Sequence, residues 1–225
     1  MAGPRRSHRD RLGDAFRDYP GLDDEQPLDP RRSAVIAHHL QQSVLSGVSP
    51  LSRSFATAAK AGFVERLQRL LQTARESGAL VVYAKMVNSE ATIANAPFYW
   101  QARRSRGGMR QGTPGAEIIE SFAPQAGDLV LEKQRMSAFS ARDLDVALAA
   151  RGIDTLIVVG MSTSMAVEST VREAADRGYR IILVEDCCLS STTESHEAAL
   201  DGMASLVTTM EDADRVIARF ERGES

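Results

Sequence analysis

A short apolar run, "TLIVVG" (155–160), leads into "MSTSMAVEST" (161–170), where a helix is expected to begin. A strand that turns tightly into a helix N-terminus suits an attacking side chain, because the free backbone N–H groups there favour negative charge. The pivotal position is occupied by Ala166. Alanine offers no lone pair, acidic proton or charge, so chemistry at this turn has to come from backbone donors and from side chains supplied by other segments. The candidates are few. His38 and His39 close the run "AVIAHH", Lys133 ends "DLVLEK", and Cys187 and Cys188 follow Asp186 at the end of "YRIILVED". An imidazole titrates near neutral pH, which fits His39 to general acid or base work; a hydrogen-bonded histidine in a retired site fits the same residue equally well. A lysine at the end of an apolar strand is costly to bury without a purpose, the alternative being an ammonium that reaches solvent at the sheet edge. Adjacent residues of a strand point to opposite faces, so His38 and His39 should diverge and the two cysteines should not form a disulfide. No zinc-type spacing of Cys or His occurs, and neither a metal nor another cofactor is expected.

These residues lie far apart in sequence, so the elements around them must bring them together. Apolar runs occur at 34–38, 79–84, 128–133, 155–160, 179–186 and 205–209, short and rich in Val, Ile and Leu as strands buried on both faces should be. Helical spacing separates them: 55–78 with Phe63, Leu67, Leu70 and Leu71 on one stripe, 141–152, 165–178, 193–204 and 211–222. Gly78, Gly152 and Gly178 follow three of these helices and suit left-handed caps. The alternation predicts an α/β fold, a three-layer Rossmann-like domain with a six-stranded, mainly parallel sheet and helices on both faces. In such a sheet a ligand sits beyond the strand C-termini near the point where strand order reverses, and there His39, Lys133 and the turn to Ala166 should converge.

Residues 1–30 are rich in Arg, Asp, Pro and Gly and read as an N-terminal arm, either a partly ordered tail or a segment packing on a neighbouring subunit; residues 31–225 form the domain. Hydrophobic residues make up 43% of the 225, enough for a sizeable core, and a net charge of −3 supplies no basic field for nucleic acid. No apolar run is long enough to span a bilayer and the start lacks a signal-peptide pattern, so a cytoplasmic location without a membrane partner is expected. Residues 85–127 form a long connection containing Phe98, Tyr99, Trp100 and the arginines 103, 104, 106 and 110. It reads either as a solvated basic loop or as a flap that covers a substrate and attracts an anion. Phe98, Trp100, Phe139 and Met165 are candidate pocket walls, with core or interface packing as the alternative for the aromatic ones, and Arg135, two residues after Lys133, is a candidate anion contact.

Over residues 33 to 220 the chain resembles the isochorismatase-like hydrolases. "SAVIAHHLQQ" is similar to the family's first strand, which ends in Asp with Gln two residues later; here His39 takes the Asp position and Gln41 the Gln position. "DLVLEKQRMSAF" places Lys133 at the catalytic lysine. "GIDTLIVVGMSTSMAVESTVREAADRGYRIILVEDCC" is the most specific match and sets Ala166 where the family has its nucleophilic Cys. The resemblance implies a cis bond between Met161 and Ser162, an oxyanion hole made by the N–H groups of Ser162 and Ala166, a small-molecule substrate, and a homo-oligomer, dimer or tetramer. Hydrolysis by a non-cysteine mechanism through His39 and Lys133 is the expected activity, and a catalytically inactive ligand-binding or assembly protein is the alternative.

Overall fold

Strands that must be buried on both faces need a helical layer on each side, and the chain supplies both layers. The computed structural model describes residues 6–14, 16, 28–46, 53, 55, 62–93 and 108–223. Its strands are β1 (Ser33–His38), β2 (Leu80–Met86), β3 (Leu129–Lys133), β4 (Thr155–Met161), β5 (Arg180–Leu189) and β6 (Thr209–Glu211), in the order β3-β2-β1-β4-β5-β6. Every pairing is parallel. The helices used below are α1 (His8–Leu12), α2 (Phe63–Glu76), α3 (Asp143–Ala150), α4 (Glu168–Asp176), α5 (Thr193–Met203) and α6 (Ala213–Arg222). Strand alternation divides the interior into two cores. Val35, Ala37, Ile157 and Val159 pack with Phe63, Leu67, Leu70 and Phe220 of α2 and α6. Ala34, Ile36, Leu156 and Val158 pack with Leu144, Val171 and Leu200 of α3, α4 and α5. The chain is therefore a three-layer α/β domain with an all-parallel sheet.

Gly78, Gly152 and Gly178 have φ of +88°, +61° and +80°, in accord with the left-handed caps read from the sequence. Other boundaries move. The last strand is Thr209–Glu211 rather than 205–209, because Leu206 and Val207 pack in the turn that follows α5, where Leu206 N donates to Met203 O. β5 runs on to Leu189, so Cys187 and Cys188 lie within it, one in each core. The helix expected over 55–78 is Phe63–Glu76 in the described residues.

Helix α1 and the residue Arg6 before it pack on this chain's own α5. The Arg11 side chain is fully buried and contacts Glu185 (3.6 Å), Glu197 (2.9 Å) and Asp201 (2.9 Å); Arg6 also reaches Asp201 (2.8 Å).

β1 and β4 approach very closely at the sheet's switch point. Gly160 stands opposite His38 with φ +107°, and a Cβ there would lie 2.3 Å from His38 O and 2.6 Å from His38 N. Only glycine fits, because both the backbone angle and the gap exclude a side chain. This contact fixes the end of β1 against the turn after β4.

Candidate active site

Lys133 is the last residue of β3, two strands from β1, yet its side chain turns inward and is fully buried. Its Nζ lies 3.0 Å from His39 Nε2 and donates to the backbone carbonyls of Arg135 (3.0 Å) and Met136 (2.7 Å). Strand geometry explains how a residue from β1 meets one from β3. His39 follows the last residue of β1 and has φ +53°, which re-aims it at the strand end, while its N–H still donates to Ala84 O of β2. The expectation that His38 and His39 diverge is corrected by that left-handed residue: their rings stack with centroids 6.1 Å apart and an interplanar angle of 28°.

Gln41 sets the exit from β1. Its fully buried amide donates to Met86 O (2.9 Å) and Ala116 O (2.8 Å) and accepts from Met86 N (2.8 Å), tying β2 and the following connection to the first strand. On the other side, the Met161–Ser162 peptide bond is cis. A π-turn, Thr163–Val167, then carries Ala166, 1% exposed, into α4. Ser162, Ser164 and Ser190 hydroxyls lie within 3.3–3.4 Å of one another, and Thr163 Oγ1 is 2.8 Å from His196 Nδ1 of α5. These bonds hold the turn from the far side and keep it in one conformation.

The remaining candidates separate. β3 ends at Lys133, so Arg135 does not continue the strand's alternation; its side chain is exposed and donates to Gln134 O, and it is the Arg135 carbonyl that enters the site. Phe139 is packed in the core beneath α3 and α4, 5.9 Å from the Tyr179 ring and under the Arg177 guanidinium (4.3 Å), the packing named above as the alternative to a pocket wall. Met165 is half-buried beside Ala166. Phe98 and Trp100 lie outside the described residues. Burial pushes the Cys188 thiol well up, and its Sγ points at Val158 O (3.7 Å) inside the second core, an environment that disfavours a thiolate. The groups that the sequence reading did not single out are the carbonyls of Arg135 and Met136, and His38, named there, was expected to point away from His39.

No ion pair involving Lys133 exists among the described residues, and burial pushes it down from 10.5 to about 7. Between these values the unfolded chain holds a proton that the folded chain has released. Stability therefore rises with pH from about 7 to 10.5, and the cost of the buried charge is fully present below 7. Urea denaturation of the parent and of Lys133→Met near pH 6.5 and pH 9.5 tests this: the parent should gain stability relative to the variant at the higher pH. An unchanged difference would mean that the ammonium is solvated.

The placement of a lysine, a strand-end residue of β1 and a cis-bonded turn at one switch point can be set against known proteins. The isochorismatase domain model matches residues 33–214. The chain belongs to the isochorismatase family. Among its relatives, maleamate amidohydrolase of Pseudomonas putida is 33% identical over 186 residues, covering 81% of this chain and 85% of that protein. A cysteine hydrolase from Pseudomonas syringae pv. phaseolicola superposes with a TM-score of 0.78 at 26% identity, covering 88% of this chain and 97% of that one. N-carbamoylsarcosine amidase from Thermoplasma acidophilum superposes with a TM-score of 0.66 at 26% identity, covering 81% and 97%. This isochorismatase-family chain shares their six-stranded parallel architecture, and its hydrolase relatives fit a small-molecule substrate. Among the described residues no helix is long and apolar enough to cross a membrane.

Proposed function

We propose that this protein hydrolyses a small amide-type substrate by activating water directly, with His39 as base, Lys133 controlling its proton, and the N–H groups of Ser162 and Ala166 holding the oxyanion. The observation that carries this reading is the 3.0 Å contact between Lys133 Nζ and His39 Nε2. Two proton arrangements satisfy the same geometry. As an ammonium, Lys133 spends its three N–H groups on Arg135 O, Met136 O and His39 Nε2, which confines the imidazole proton to Nδ1. As a neutral amine it keeps both carbonyls, and its lone pair accepts from His39 Nε2–H, which leaves a lone pair on Nδ1. Only the second arrangement provides a base on the side of the ring away from the lysine. Nδ1 then takes a proton from water, the hydroxide adds to the carbonyl carbon, and the oxyanion collapses with departure of the amine, which recovers the proton. Alanine at 166 removes the covalent route but leaves its backbone donor.

With Lys133 near 7, activity should rise with pH through about 7. The test is a pH–rate profile on amides, ureido compounds and vinyl ethers for the parent, His39→Ala and Lys133→Ala. Loss in both variants and a basic limb in the parent support the reading; turnover that persists in His39→Ala ends it. The second reading, a ligand-binding or assembly protein without turnover, draws on Ala166 itself and predicts no hydrolysis by any of the three. Assembly as a homo-oligomer and a cytoplasmic location belong to the proposal, the former measurable by sedimentation velocity.

A further inference from the structure

His38 is the group that the hydrolytic scheme leaves unused. It is fully buried, and neither ring nitrogen has a hydrogen-bond partner among the described residues. Alternation along β1 sends its ring to the face of Ala34 and Ile36, the face shared by Leu131 of β3 and Val167 of the π-turn. Lys133, two residues after Leu131 in β3, lies on that face too, and the His38 ring stacks on His39. Burial, then the nearby Lys133 charge, keeps His38 neutral, so it presents one N–H donor and one acceptor. A dry imidazole with neither bond made is expensive, and a buried ammonium without a counter-charge is more so. Both costs fall if a negatively charged group accepts from the imidazole beside the lysine. The three N–H groups of Lys133 are already committed, which leaves the donor role to His38.

We propose that His38 is a ligand-binding residue whose N–H receives the carboxylate of a small anionic ligand next to the Lys133 ammonium. This names the substrate class for the hydrolytic site and rests on the proposed function only in calling that ligand a substrate. Among the described residues the titratable groups around His38 are Lys133 from β3, His39 at the end of β1 and Cys188 on β5, whose thiol stays protonated; the π-turn contributes Thr163, Ser164, Met165 and Ala166, none of them charged. Glu168 at the start of α4 is paired with Arg172 (2.8 Å). Anion affinity should therefore follow the protonation of the lysine, and a bound anionic substrate, by favouring the ammonium, should move the basic limb of turnover to higher pH than with a neutral amide.

The probe is formate, the smallest carboxylate, with formamide as its uncharged counterpart. The chain has four histidines, so each can be followed by imidazole NMR. Formate should give a saturable shift of His38, formamide none, and the affinity should fall about tenfold from pH 7 to pH 8.5. In His38→Leu the response read at His39 should weaken at least about tenfold, and His38→Gln, which keeps a donor, should retain most of it. A non-saturable response, an equal response to formamide, or unchanged affinity in His38→Leu overturns the inference. Formate binding without turnover of any amide would retire hydrolysis and leave this inference standing; turnover of neutral amides with no formate response would do the reverse.

Discussion

Lys133→Met should fold and lose turnover by about a hundredfold or more. Two stability effects of opposite sign act at this position. Removing the ammonium abolishes the desolvation cost of a charge that has no carboxylate partner among the described residues, which favours the variant. The carbonyls of Arg135 and Met136 lose a donor, which favours the parent by about 1–3 kcal/mol for each group left dry. The balance should stay within a few kcal/mol at pH 7. Turnover has no such compensation, because methionine cannot accept a hydrogen bond from His39 Nε2–H, and nothing then holds the imidazole in the tautomer that leaves Nδ1 basic. Circular dichroism with urea titration measures the first quantity and single-turnover kinetics the second. Full activity in Lys133→Met would remove the lysine from the chemistry.

The second large effect is a gain. His39→Asp combined with Ala166→Cys should create a thiol at position 166 that reacts with iodoacetamide about tenfold faster than in Ala166→Cys alone, and should bring amidase activity with it. A carboxylate at 39 would give Lys133 a counter-charge that no other described residue supplies and raise its affinity for a proton. The same carboxylate would serve as base toward the new thiol, while the N-terminus of the turn favours the thiolate. Cys187 and Cys188, both buried, supply an internal reference for unreactive sulfur. Mass spectrometry of the alkylated peptides reads the outcome, and a thiol at 166 no faster than those two would mean that the turn no longer presents donors to a reacting group.

The parallel sheet was legible because strands covered on both faces must be apolar throughout, and five of the six apolar runs coincide with β1 to β5 to within a few residues. β6 was misplaced because three paired residues are too few for periodicity, whereas the apolar Leu206 and Val207 of the preceding turn mimic a strand. Lys133 and the turn at Ala166 stand out in the sequence because residue type and local pattern agree there. Arg135 misled for a physical reason: what enters the site is its carbonyl, and a carbonyl carries no residue-type signal. Between a pocket wall and core packing for Phe139 the sequence did not choose, because the 3₁₀ turn at Ala138–Ser140 that sends the ring toward α3 and α4 has no periodic signature. His38 had a usable signal, an imidazole closing the otherwise apolar "AVIA", but strand alternation pointed it away from His39, and only the left-handed backbone of His39 reverses that inference.

The buried guanidinium of Arg11 has a role that reaches past the N-terminal helix. Glu197 and Asp201 sit one turn apart on α5, with Glu185 facing them, and without that cation three carboxylates would crowd a single spot. The helix they would push on is the one that offers His196 to Thr163. The opening segment thus behaves as a keystone, and trimming it would be felt as loosening of the turn that carries Ala166.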